Sequence, residues 1–250
     1  MEIKKINSMK KLKTMMLLMV VALATVTMQS CDTDDDDYVN FNLATVTLKA
    51  PQTEGGKWFM QLDDDNIVYA NNIASHPYDN KEVRAYIRYS NLERIAISSK
   101  LPYEHTADIL TIDTILTKKM SPLVVLPEAG VLAGTDLNAE EYGKDPIEVV
   151  NSWETVAEDG YMNIRFRTRF GNNGKHRVSL VHRTDVNEPY VVEFYHDANG
   201  DTNGMVADGM VAFKLDDVFN MGTEPIEITL KWKSYSGEKT AKFKYRPRKN

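Results

Sequence analysis

The stretch DGYMNIRFRTRF, residues 159–170, decides how this chain is read. Ile164, Phe166, Thr168 and Phe170 alternate with Arg165, Arg167 and Arg169, which puts apolar and cationic side chains on opposite faces of an extended strand. The same period of two recurs on either side. Val83, Ala85, Ile87 and Tyr89 alternate with Arg84, Tyr86 and Arg88. Ile226, Ile228, Leu230 and Trp232 alternate with Glu227, Thr229, Lys231 and Lys233, and Ala241, Phe243 and Tyr245 with Lys242, Lys244 and Arg246. Those last two runs, joined through Gly237, predict a hairpin. Further strands are predicted at 45–49, 57–62, 109–116, 148–154, 176–183, 190–196 and 209–215. No segment after residue 40 sustains a 3.6-residue apolar period for three turns, so helix is limited to short turns at 138–142 and 215–220.

So many strands exceed one small barrel. Pro122, Pro127, Gly130, Gly134, Gly143 and Pro146 punctuate the chain beyond residue 118 and predict a boundary near residue 120. The fold expected is mainly β: a barrel-like domain over 41–119, then a β-sandwich over 120–250. Composition agrees with a folded chain, because 42% of the 250 residues are apolar and 26% charged. One cysteine excludes an internal disulfide framework and a cysteine-rich metal site. A formal charge of −6 argues against duplex nucleic acid as a partner, since such affinity comes from Lys and Arg neutralising phosphates.

Residues 1–30 read as a secretory signal of the lipoprotein type. Lys4, Lys5, Lys10, Lys11 and Lys13 precede an apolar run over 15–24 that is too short for the roughly 20 residues of a membrane span. Cys31 follows Met28, Gln29 and Ser30, a layout that resembles a bacterial lipoprotein box. Lipidation at Cys31 is therefore expected, and the bilayer becomes a partner through the acylated cysteine. Each buried methylene contributes about 0.8 kcal/mol, so several acyl chains hold the protein durably. Asp32, Asp34, Asp35, Asp36 and Asp37 form a solvated tether over 31–40. Such a run after the cysteine also resembles the surface-export signal of lipoproteins in anaerobic Gram-negative bacteria, so the location expected is the outer membrane, facing the exterior. Without residues 1–30, which carry five lysines and one glutamate, the charge falls from −6 to −10.

Three patterns carry candidate chemistry. Asp197, Asn199, Asp201, Asn203 and Asp208 stand at positions one, three, five, seven and twelve of an EF-hand-type loop, the hard-oxygen pattern that calcium takes. Thr202 replaces the glycine at position six and Asp208 the bidentate glutamate, so a polar connection between strands competes with the calcium reading. Arg165, Arg167 and Arg169 should project from one strand face at about 7 Å intervals, either as a clamp for anions or an acidic partner or as cross-strand ion pairs. Trp58, Phe59, Tyr69, Tyr78 and Tyr86 are candidates for a stacking platform, with core filling as the competing role. Of His76, His105, His176, His182 and His196, the pair His182 and His196 sits in strand-like runs that would let the two meet across a sheet, but no spacing demands it, and isolated histidines are mostly structural or solvated. No G-x-S-x-G, H-E-x-x-H, G-x-x-x-x-G-K-[ST] or G-x-G-x-x-G occurs, which disfavours an enzyme. A carboxylate pair assembled from distant loops stays open, as in a surface hydrolase acting on glycan or peptide between the two domains.

The start CDTDDDDY, the segment DPIEVVNSW from Asp145, the strand DGYMNIRFRTRF and the loop YHDANGDTNG from Tyr195 together resemble NigD-like lipoproteins. The resemblance implies an N-terminal OB-type barrel and a C-terminal β-sandwich. It also implies a role beside bacteriocins, for which immunity has been supposed, and it carries no catalytic or binding residues. A non-enzymatic binding or accessory protein for an unknown protein, peptide or glycan is the function expected.

Overall fold

The computed structural model describes residues 40–95, 103–124, 136–171, 174–185, 187–219 and 224–248. The expected signal, Cys31 and the Asp32, Asp34, Asp35, Asp36, Asp37 run lie outside the described residues.

Five strands close into a barrel in the order β1-β2-β3-β5-β4: β1 (Asn42–Lys49), β2 (Phe59–Gln61), β3 (Asn66–Ala70), β4 (Val83–Arg94) and β5 (Tyr103–Thr114). Closure removes the unpaired edges that an open sheet of this size would present. Val46, Leu48, Trp58, Met60, Val68, Ala85, Ile87 and Ile109 fill its interior. Between β2 and β3 the Asp63 carboxylate accepts the backbone N–H groups of Asp65 and Asn66 at 2.8 Å each, the local bond that lets aspartate make a tight turn.

The remaining strands form the sandwich. One sheet runs β10-β11-β13-β14, from β10 (Arg177–Asp185), β11 (Glu188–Asp197), β13 (Ile226–Ser234) and β14 (Gly237–Tyr245). The other runs β6-β12-β9-β7, from β6 (Leu116–Lys119), β12 (Met205–Lys214), β9 (Tyr161–Phe170) and β7 (Glu148–Val149), with β8 (Val156–Glu158) also pairing with β9. Met162, Ile164, Phe166, Leu180, Val192, Phe194, Val211, Phe213, Ile228 and Leu230 interdigitate between them. Each such side chain, fully buried, contributes about 1.5–3 kcal/mol. Two short helices complete the chain, α1 (Leu137–Tyr142) and α2 (Asp216–Phe219), close to the helical turns read at 138–142 and 215–220. Asp136 caps α1 by accepting from Asn138 N and Ala139 N, and Gly143 ends it at φ 99°.

The alternation read in residues 159–170 is what β9 shows: even-numbered side chains face the sandwich core and odd-numbered ones face away. Asp159 and Gly160, both at positive φ, make the two-residue turn from β8 that the Asp-Gly dipeptide favours. Three expectations are corrected. β6 pairs with β12, so the sandwich takes in residues 116–119 and the passage between domains falls at Ile115, not at residue 120. The strand expected over 148–154 stops at Val149, because Val150 to Thr155 turn back on themselves: Thr155 donates through N to Ser152 O and through Oγ1 to Val150 O. His196 lies against His176 at 2.9 Å, whereas His182 sits opposite Val192 and its Nε2 meets the Pro189 carbonyl.

From Asn40 onward the chain is one compact unit. The barrel sits on the outer face of β9: Tyr161, with Ala212 of β12, forms a small apolar seam with Ile115, against which Tyr86 and Met210 pack.

Candidate functional site

Arg84 lies on the face of β4 that the alternation turns away from the barrel interior, yet it is 1% exposed because the sandwich covers it. Its guanidinium donates to Thr45 and Thr47 on β1, to Asn163 Oδ1 on β9 at 3.2 Å and to Glu158 on β8 at 2.5 Å. A buried guanidinium demands partners of this number and kind, since an unpaired one would cost several kcal/mol. Burial pushes the Glu158 carboxyl above its usual range, and Arg84 opposes that rise.

Beside this bridge the two domains leave a cleft of about 680 Å³, lined by Lys49, Gln61, Asp64, Asp65 and Glu82 of the barrel and by Asp159, Arg246 and Arg248 of the sandwich. Its charges are cross-strapped between domains. Lys49 Nζ is 2.6 Å from Asp159 Oδ1, Arg246 is 2.7 Å from Asp65, and Arg248 reaches Glu82 at 3.1 Å, Asp216 at 3.2 Å and Asp159 at 3.2 Å. The Tyr161 hydroxyl donates to Glu82 at 2.5 Å, and both Arg84 and Arg248 lie over the Tyr161 ring. Burial works against the charge on Glu82, but Tyr161 and Arg248 together outweigh it and hold that carboxyl below the usual range. Asp64 differs. Burial raises it, and the Asp159 N–H that it accepts at 3.1 Å and the charge of Arg246 only partly compensate.

The residues singled out from sequence are placed as follows. Arg165 and Arg167 both grip Asp208 across the β9–β12 ladder: Arg165 through Nε at 2.9 Å and Nη2 at 2.6 Å, Arg167 through Nε at 2.6 Å. Arg165 also reaches Glu154 at 2.9 Å, and Arg169 donates to the Gly204 carbonyl. Hydrogen bonding by Arg167, joined by that of Arg165, holds Asp208 down to about 2. The EF-hand spacing is not gathered into one loop. Asp208 belongs to strand β12, Asp197 pairs with Arg177 at 2.5 Å, and Asp201 accepts the backbone N–H groups of Gly171 and Gly174. Among the described residues no group of three or more His, Cys, Asp or Glu side chains is placed to hold a metal ion. Of the aromatic candidates, Trp58 and Phe59 are buried, Tyr78 packs against the barrel core and Tyr69 tilts against Phe59. Tyr86 instead stacks on Trp153, which sequence reasoning missed because its loop was read as strand.

A third polar group lies at the far end of the sandwich, where His176 stands between His196 and Asp201, with its Nε2 3.5 Å from the Asp201 carboxylate. Burial, then the charge of His176, lowers the pKa of His196.

A closed five-stranded barrel of OB type, locked onto a two-sheet sandwich through a charged cleft, defines a two-domain all-β class of protein. The NigD-like N-terminal OB domain model matches residues 45–115 and the NigD-like C-terminal beta sandwich domain model matches 130–245. The chain belongs to the NigD-like family. Among solved structures it is similar to a protein named as toxin-related from Parabacteroides distasonis (24% identity, TM-score 0.63, covering 83% of this chain and 94% of that one). It is similar to a protein of unknown function from Bacteroides vulgatus (22%, TM-score 0.60, 82% and 91%) and to one named as a lipoprotein from Bacteroides fragilis (13%, TM-score 0.53, 84% and 100%). No curated protein matches the chain.

Proposed function

We propose that this chain is a membrane-anchored, surface-exposed lipoprotein that acts by binding, seating a peptide or glycan in the cleft between barrel and sandwich, with immunity against a bacteriocin as the special case. Cys31 supplies the acyl anchor in the outer membrane, and the aspartates from Asp32 to Asp37 hold the domains off the bilayer on the exterior side. The lipoprotein name of the Bacteroides fragilis structure agrees with this reading. The observation that carries binding over catalysis is the pairing of the cleft's acids. Asp159, Glu82 and Asp65 are each gripped by a cation within 3.1 Å, which occupies them in ion pairs rather than leaving them free to move protons. Charges of both signs, with the amides of Gln52, Gln61 and Asn80, instead offer complementary hydrogen bonds to a polar ligand.

Asp64 favours a second reading, a surface hydrolase for glycan or peptide, because a carboxyl raised by burial and set beside a second carboxylate, Asp159, is the arrangement acid–base chemistry uses. One experiment separates the two. A deletion strain is challenged with bacteriocin-type peptides and complemented with the native chain, with Cys31→Ser or with Asp64→Asn. Binding predicts that the native chain and Asp64→Asn both restore protection and that Cys31→Ser, no longer in the membrane fraction, does not. Loss of protection with Asp64→Asn present at normal level transfers the reading to hydrolysis, and a deletion strain no more sensitive than its parent removes immunity.

A further inference from the structure

The outward face of β9 is divided along its length. Tyr161 and Asn163 are covered by the barrel, whereas Arg165, Arg167 and Arg169 continue the same face into solvent. Trp153 stands where the cover ends. It is 52% exposed, and its indole stacks on Tyr86 of the barrel with ring centroids 5.8 Å apart and planes 25° from parallel, which leaves its other face open. The loop that presents it is rigid: besides the Thr155 bonds, Thr155 Oγ1 accepts Arg165 N, Ser152 Oγ donates to Glu154 Oε2 at 2.5 Å, and Glu154 accepts Arg165. A large aromatic surface held open to water by so many bonds is organised in advance for a partner.

The charge around it runs against that of the chain. Glu154 and, against it, Arg165 and Arg88 act electrostatically on Tyr86, and Arg88 is exposed with its guanidinium 5.5 Å from the Phe41 ring centroid. Arg88 and Arg165 stand by the Trp153–Tyr86 stack and Arg167 and Arg169 extend the strip along β9, with Glu154 and Asp208 as their only ion-pair partners among the described residues and Asp113 directly across from Tyr86 on β5, in a protein whose formal charge is −6. An anionic ligand is complementary to this strip, and a flat indole face beside guanidiniums suits a sugar ring carrying an acidic group.

We propose that the strip from Arg88 through the Tyr86–Trp153 stack to Arg169 is a docking surface for an acidic glycan, one whose sugar rings bear carboxylate or sulfate. The ring lies on Trp153 and its anionic groups meet the arginines. No residue of the strip lines the interdomain cleft, so this surface stands or falls apart from the function proposed there.

The chain contains three tryptophans, and Trp58 and Trp232 are buried at 5% and 9% exposure, so iodide quenching of fluorescence reports mainly on Trp153. The purified protein is titrated with polygalacturonate, chondroitin sulfate, neutral dextran and polyglutamate. Polygalacturonate, chondroitin sulfate or both should shield Trp153 from iodide, with affinity falling steeply as salt rises, while dextran does nothing. Calorimetry with Trp153→Ala and with the double variant Arg88→Ala/Arg169→Ala should show at least a tenfold loss of affinity, each variant melting within a few degrees of the native protein. If neither acidic glycan shields Trp153, or dextran shields it equally, the proposal is wrong. Equal binding of polyglutamate that survives Trp153→Ala also overturns it, because the strip would then be a site for acidic peptides.

Discussion

Replacing Arg84 by methionine keeps most of the aliphatic stem and removes the guanidinium that joins β1, β8 and β9. The variant leaves Glu158 with 15% of its side chain exposed and no cation, and it takes a donor from Thr45, Thr47 and Asn163. Breaking one partner out of a buried pair costs about 3–5 kcal/mol. At about 2–4 °C per kcal/mol for a chain of this size, the melting temperature should fall by on the order of 10 °C. Glu158 gives the loss a pH signature. Burial already raises its folded pKa above the unfolded value, and without Arg84 only the Thr45 hydroxyl still opposes that rise. The folded state then keeps a proton that the unfolded state releases above about pH 4.3, so the penalty is small in acid and grows as pH rises through the folded pKa. Urea denaturation of native, Arg84→Met, Glu158→Leu and the double variant at pH 4.5 and pH 7.5 closes a mutant cycle. The double variant should recover most of the loss, because two apolar side chains impose no desolvation of charge. A single Arg84→Met variant within 1 kcal/mol of native at pH 7.5, or a penalty equal at both pH values, would refute the reasoning.

Three further expectations follow from groups whose surroundings are as well defined. Asp208 is ionised in the fold down to about 2, below its unfolded value, so the stability it contributes is present above about pH 4 and lost as pH falls toward 2; Asp208→Asn should flatten that limb of an acid titration followed by circular dichroism. His196 has a folded pKa below its unfolded value, so the unfolded state gains a proton first and stability should fall as pH drops below about 6.5; His196→Gln should weaken this dependence in melting curves. Gly143 adopts φ 99° with no room for a side chain, since a Cβ there would lie 2.4 Å from the His196 carbonyl oxygen and 2.6 Å from Asp197 Cα; Gly143→Ala should lose about 2–3 kcal/mol in urea denaturation.

Period-two patterning exposed the strands that line a core, because Ile164, Phe166, Ile228 and Leu230 must point inward whatever else surrounds them. It says nothing about what covers the opposite face. Arg84 reads as facing away from the core and is buried, because a second domain lies on it. The cleft stayed hidden for a related reason: Lys49, Asp65, Glu82, Asp159 and Arg248 come from distant parts of the chain, and only the tertiary fold brings them together. Local spacing also misled at Asp208, where a match to a calcium loop ran into a strand whose cross-strand neighbours are arginines. Trp153 escaped notice because a mixed segment ending in Ser-Trp-Glu carries no pattern that separates a short strand from a bonded loop.

Arg246 and Arg248 stand near the end of the described chain and fasten to acids on its first strands and turns. In a polypeptide made from its N-terminus, the barrel is delivered long before the cations that neutralise Asp65 and Glu82. Until they arrive Asp65 and Glu82 lack these cations, and Lys49–Asp159 and Arg84–Glu158 are the ion pairs that hold barrel and sandwich together. A chain broken off ahead of residue 246 would therefore display unmatched negative charge and a loosened seam, which marks it out to proteases. Arg246 and Arg248 thus act as a latch across the cleft, closing the barrel's acids against the sandwich.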